Sequence, residues 1–171
     1  MSPTSDIALR EWRAKDVEHI TELRNDRALQ SLLMARVRGS DESHVHQWLR
    51  DRTSNPNALF YVVTTTPSDR CIGYVQIVEI DWIDRRGDLG ICLAPGEQGH
   101  GLGTKALGLV VKSLRNDWAL RKLSLRVRSD NVRAIRCYER FGFLHCGLQR
   151  RHVRLDGAWL DVACMELLFD E

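Results

Sequence analysis

The sequence predicts a single mixed α/β (α+β) domain spanning residues 1–171, built on a twisted sheet of about seven strands with helices on both faces. Three observations predict it. Strand-like and helix-like stretches alternate along the chain, with no repeat, linker or low-complexity segment between them. Several of the strand-like stretches alternate apolar and polar residues, and Asp156-Gly157, a strong short hairpin signal, joins the last two. With 171 residues and 43% hydrophobic content, the chain can bury one core, which at this size removes about 70% of the unfolded surface from water.

Taken in order, IALREWR reads as a first strand because Ile7 and Leu9 alternate with polar neighbours. Asp16 is placed to cap a helix reaching about Asn25, and Ser40 to cap a second helix in SDESHVHQWLRD. ALFYVVTTT and CIGYVQIVEI are rich in β-branched and aromatic residues; the turn sequence PSDR between them makes them a hairpin. GDLGICLAP is a further strand, ended by Pro95, which cannot donate to a ladder. A glycine-rich stretch, EQGHGLGTKAL, then runs into TKALGLVVKSLRNDW. There Leu107, Val110, Val111, Leu114 and Trp118 fall three or four apart on one helical face. KLSLRVRSD alternates, with Leu123, Leu125 and Val127 on one face and Ser124, Arg126 and Arg128 on the other. NVRAIRCYERFGF is a short helix closed by Gly142, and HVRL and WLDVACMELLF flank the final turn.

Composition excludes several function classes. The 25 basic and 23 acidic residues leave a net charge of +2, no electrostatic case for a nucleic-acid or membrane partner. No run approaches the roughly 18 apolar residues of a membrane span. The charged N-terminus lacks the apolar core of a secretory signal, so a cytoplasmic protein is expected. The cysteines are odd in number and lack C-x-x-C spacing; Cys71, Cys92, Cys137 and Cys164 lie in apolar runs and read as small buried hydrophobes. His44 and His46 are two apart and so on different helix faces, and no metal is expected. The basic cluster Gln149–Arg154 is either a solvated strand face or a patch for phosphate groups.

Strand, glycine loop, helix is an arrangement that binds phosphates, because a helix N-terminus carries unpaired N–H groups and glycines let the backbone approach the ligand. Three motifs compete. Gly96 and Gly101 have the separation of a P-loop, but Leu102 stands where its lysine belongs. A dinucleotide fold needs G-x-G-x-x-G in the first βα unit, whereas this G-x-G-x-G follows a late strand. The third pattern, Gln98-Gly99-His100-Gly101-Leu102-Gly103, resembles the Q/R-x-x-G-x-G/A signature of the GCN5-related N-acetyltransferases (GNAT), whose loop holds the coenzyme A pyrophosphate.

Other segments resemble that family in the same order. Asn131 to Phe143 is similar to its N-x-x-A-x-x-x-Y-x-x-x-G-F segment, and Gly87 to Leu93 to the strand along which pantetheine lies. Asp156 to Met165, with Leu23-Arg24-Asn25 and Trp48-Leu49 upstream, resembles the ribosomal-protein-alanine acetyltransferase subgroup and its relatives that act on nucleotide-linked amino sugars. The resemblance spans essentially the whole chain. It implies transfer of acetyl directly from acetyl-CoA, as cosubstrate, to a primary amine: a protein N-terminus or a small-molecule amine such as a nucleotide-linked amino sugar. The alternative it leaves is a non-catalytic acyl-CoA-binding sensor of the same fold.

Carried over by position, the resemblance makes Tyr138 the acid that protonates the departing thiolate. Asp88 is the first candidate for the base and Glu79 the second; either could instead be a solvated edge carboxylate. Cofactor contacts are expected from main-chain atoms of Ile91, Cys92 and Leu93, from Gln98, and from the N–H groups of Gly99, His100, Gly101, Leu102, Gly103 and Thr104. Asn131, Ala134 and Tyr138 complete the cofactor set. Asn25, Trp48, Trp82 and Trp159 could line the acceptor site or pack in the core or rim. Exposed strand edges in such a sheet could pair two copies as a homodimer.

Overall fold

A computed structural model describes residues 6–169. One mixed sheet organises the chain, with strand order β1-β2-β3-β4-β5-β7-β6. β1 (Asp6–Arg10), β2 (Leu59–Thr66), β3 (Arg70–Asp81) and β4 (Arg86–Leu93) form an antiparallel meander. β5 (Lys122–Arg128) joins β4 in parallel, and β7 (Ala158–Leu168) and β6 (Leu144–Leu155) extend the sheet antiparallel beyond it. The β2–β3 hairpin and the turn at Asp156-Gly157 fall where the turn residues predict them.

The alternation of side chains across the pleat divides the core in two. On one face α4 (Leu102–Asn116) and α5 (Val132–Phe141) meet the sheet, and Leu107, Val110 and Leu114 pack with Ile72, Val75, Leu123 and Phe143. On the other, α1 (Val17–Asn25), α2 (Arg27–Leu32) and α3 (Glu42–Ser54) contribute Ile20, Leu29, Val45 and Leu49 against Phe60, Val62 and Tyr74. The expected helices on both faces and the seven strands are therefore present, and Leu123, Leu125 and Val127 form the buried face of β5 as their alternation requires.

Several local details differ from expectation. Asp41, not Ser40, caps α3, its carboxylate accepting the His44 N–H at 2.8 Å. Asp16 precedes α1, but its carboxylate accepts the Arg13 N–H and pairs with Arg10 at 2.7 Å instead of capping the helix. α2 has only six residues, too few to show a period, and escapes sequence reading. Trp118 lies beyond the end of α4, donating to the Tyr61 hydroxyl at 3.0 Å beside Trp82. Of the cysteines expected to be buried, Cys71 and Cys92 are, while Cys137 and Cys164 are half-buried.

Candidate active site

β4 and β5 run together for only three residue pairs, Arg86 with Lys122, Gly87 with Leu123 and Asp88 with Ser124. Beyond Asp88 they separate, and the β4 edge from Leu89 to Leu93 has no neighbouring strand on that side. Unpaired N–H and C=O groups on a half-buried strand need partners. The gap opens a cavity of about 1090 Å³ between the two helical layers, lined by Asp88, Ile91, Cys92, Leu93 and Tyr138 among others.

The glycine loop forms one end of this cavity, with Gln98, Gly99, Gly101, Gly103 and Thr104 on its wall. Gly101 stands at the N-cap of α4 with φ 77°, a left-handed conformation that costs other residues about 1–2 kcal/mol, and no side chain caps the helix. The first helical bond closes only at Lys105 N–H to Gly101 C=O. The N–H groups of Leu102, Gly103 and Thr104 are thus the free ends of the helix. Gln98 ties the loop down, donating to the Leu93 carbonyl at 2.9 Å and accepting from Arg133 at 3.0 Å. Asn131 caps α5 by accepting the Ala134 N–H at 3.3 Å; both residues line the cavity.

Tyr138 is half-buried on α5, its ring 5.6 Å from that of Phe143. Among the described residues its hydroxyl has no hydrogen-bond partner, whereas that of Tyr61 accepts from Trp118. Burial, and then the neighbouring Cys137, push the phenol above its ordinary value, so it stays protonated through neutral pH. Asp88 lies on the cavity floor, its carboxylate 3.8 Å from the Arg126 guanidinium. Desolvation raises its pKa, with Arg126 opposing and Glu79 reinforcing the shift.

The second base candidate does not line the cavity. A register shift between Val78 and Asp81 carries Glu79 into a bulge with φ 51°, where it is exposed and outside the cavity lining. His100 is likewise exposed and off the wall, and the Leu102 side chain is buried in the core, so only its backbone faces the loop. The basic cluster is divided by a bulge between Gln149 and Val153; His152 reaches the cavity, while Arg154 lies over Trp159. Asn25 grips Ser40 by two hydrogen bonds of 2.7 and 3.0 Å, Trp82 packs on Trp118, and Trp159 is exposed; of the four acceptor-site candidates only Trp48 lines the cavity. Sequence reasoning missed Arg24, Gln30, Arg52, Gln76 and Arg126, which line the cavity's other end. They lie on α1, α2, α3, β3 and β5, and no local pattern links them. Among the described residues no group of three or more His, Cys, Asp and Glu could hold a metal ion, and no helix is long and apolar enough to cross a membrane.

A strand edge open to a ligand's amides, set beside a glycine-lined helix N-terminus with Arg133 and Arg140 nearby, suits a long thioester cosubstrate with a phosphate-rich tail. Fold and site together define an acyl-CoA-dependent transferase. Residues 6–144 match the acetyltransferase (GNAT) domain, and the chain belongs to that family of N-acetyltransferases, which use acetyl-CoA. Over 164 residues it is 26% identical to the spermidine N(1)-acetyltransferase of Vibrio cholerae, covering 96% of this chain and 94% of that protein. The fold matches the crystal structure of the Vibrio cholerae spermidine N-acetyltransferase in complex with CoA and spermine, with a TM-score of 0.88, 24% identity and 95% of each chain covered. A dodecameric structure of that enzyme matches with a TM-score of 0.81 at 25% identity, over 95% of this chain and 93% of that one. These similarities do not support the ribosomal-protein-alanine subgroup that the C-terminal segment resembles.

Proposed function

We propose that this chain acetylates a primary amine of a small molecule, with Tyr138 as general acid and Asp88 as general base. The observation that carries the reading is the separation of β4 from β5 beside the glycine loop, with an unpartnered tyrosine hydroxyl and a desolvated carboxylate facing one cavity. Bound acetyl-CoA supplies an acetyl group activated as a thioester. Main-chain groups of Ile91, Cys92 and Leu93 orient its arm, and the N–H groups from Gly99 to Thr104 take its pyrophosphate. Asp88 removes a proton from the incoming ammonium, and its raised pKa suits it to hold that proton. Its short side chain acts through a water. The neutral nitrogen then bonds to the acetyl carbon as the C–S bond breaks; Tyr138 gives its proton to the sulfur and regains the second proton lost by the nitrogen, and the proton held by Asp88 passes to bulk water.

The similarity to the Vibrio cholerae enzyme favours a polyamine such as spermidine as the acceptor, and the dodecamer of that relative favours assembly of this chain with copies of itself. Thiol release from acetyl-CoA with polyamines, amino sugars and peptides, compared between the native protein and Tyr138→Phe, tests the reading. Amine-dependent release that Tyr138→Phe suppresses is the expected result. CoA binding with no release for any amine would leave the sensor alternative standing.

A further inference from the structure

We propose that the acceptor amine also carries an anionic group, a carboxylate or a phosphate, held by Arg24 and Arg52. The proposal rests on the acetyl-transfer reading and departs from the polyamine acceptor that the similarity to the Vibrio cholerae enzyme favours. Away from the glycine loop, the cavity runs beneath α1 and α3, where both arginines line it. The Arg24 guanidinium lies 4.0 Å from the centre of the Trp48 ring and that of Arg52 5.6 Å from it. Among the described residues neither makes a salt bridge or a side-chain hydrogen bond, whereas Arg10, Arg70 and Arg128 each hold a carboxylate within 2.8 Å. The Arg24 Nε–H is buried and has no partner.

Stacking on an indole satisfies the face of a guanidinium and leaves its in-plane N–H donors unused. Two such groups beside Trp48 in one cavity, half-buried and without a counter-ion among the described residues, can receive an oxyanion. The sheet beneath offers the opposite chemistry. Gln76 Oε1 is buried without a partner, and the Gln76 amide lies over Gly90, where a Cβ would come within 3.1 Å of it. Asp88 follows along β4 on the same cavity surface. The cavity therefore offers N–H acceptors from β3 and β4 and N–H donors from α1 and α3. The remaining lining carboxylate, Asp130, is already paired with Arg128 at 2.8 Å. A polyamine would set a second ammonium against Arg24 and Arg52, a like-charge contact; an amine with an anion some distance away matches both sets of groups.

Titration calorimetry on the CoA-saturated protein tests this with two matched pairs, glucosamine 6-phosphate against glucosamine and γ-aminobutyrate against butylamine, with spermidine alongside. At least one anionic amine is expected to bind about tenfold or more tightly than its uncharged-tail counterpart, and the preferred pair identifies the anion as phosphate or carboxylate. Arg24→Gln and Arg52→Gln should each reduce that preference, and Arg24→Lys should retain part of it. Melting curves establish that the variants fold, and Arg52→Gln carries the test if Arg24→Gln does not. Spermidine binding as tightly as the anionic amines, or a preference surviving in the Arg24→Gln/Arg52→Gln double variant, overturns the proposal. Anion-selective binding without thiol release would sink the acetyl-transfer reading and leave only an anion site with no acceptor; thiol release with spermidine alone would keep that reading and overturn the proposal.

Discussion

Replacing Tyr138 by Phe removes one oxygen and leaves the ring against Phe143, 5.6 Å between centroids. The hydroxyl it deletes has no partner among the described residues, so stability should be unchanged and Tm should stay within about 1 °C. Chemistry should not be spared. A phenol of ordinary pKa about 10 giving its proton to a thiolate of about 8.5 goes uphill by about 2 kcal/mol. Burial raises Tyr138, but it raises thiols too: Cys71 is pushed up to about 11 and Cys92 to about 12, chiefly by desolvation. Desolvation therefore moves phenol and thiol in the same direction inside the protein. Without that proton the thiolate must leave charged in the same poorly solvated space. Loss of a general acid costs about 10² to 10⁴ in rate, and we expect a fall in kcat of about 10² to 10³, about 3–4 kcal/mol, with KM values within about threefold. Thiol release under saturating acetyl-CoA measures it. A kcat within about threefold of the native value would refute the acid role, and a loss confined to KM for acetyl-CoA would make Tyr138 a binding group.

Gly101→Ala forces an L-residue to φ 77°, although nothing lies within 4 Å of the added methyl group. It should cost about 1–2 kcal/mol, lowering Tm by about 2–8 °C, and raise KM for acetyl-CoA about tenfold; an unchanged KM would dissociate the loop from the cosubstrate. With Asp88 as the proposed base, needed deprotonated and raised in pKa by desolvation, kcat/KM should rise with pH through a value above that of a free aspartate, and Asp88→Asn should abolish that limb. Asp69 joins the β2–β3 turn to the N-terminal segment through Lys15 and Arg10, each at 2.6 Å, and these bonds hold its pKa well below the ordinary value. Its contribution is therefore present above the unfolded carboxylate pKa of about 3.9 and lost as pH falls through the depressed folded value. In Asp69→Asn, which keeps a residue tolerant of φ 53°, acid denaturation monitored by circular dichroism should depend less steeply on pH.

Elements with a sustained period were legible: the alternation of Leu123, Leu125 and Val127, the apolar stripe of α4 and the Asp156-Gly157 turn each predict the observed element. So was the glycine loop at the start of α4, because its residues are local in sequence and its geometry is that of the backbone. The acceptor end was not. Arg24 reads as a polar residue on an amphipathic helix, and Gln76 as one of several side chains on β3; only the crossing of α1 and α3 over the divergent strands brings them to one wall. Glu79 misled for a related reason: a bulge is a tertiary accommodation that shifts which side chains face inward, and nothing in VQIVEID marks it. Asp16 and Ser40 misled at caps, since a stronger partner, Arg10, captured the first, and the neighbouring Asp41 serves α3 in place of the second.

The three-pair seam between β4 and β5 has a mechanical meaning as well as a chemical one. Four strands on one side and three on the other are joined by longer ladders, so backbone continuity across the whole sheet depends on that short seam and on α4 bridging above it. A molecule lodged in the wedge completes the interrupted ladder and acts as a keystone between two half-arches. Cosubstrate occupancy should then slow amide exchange along Leu89–Leu93 far more than in the well-laddered β2–β3 hairpin. Exchange at the seam should then report how fully the wedge is occupied.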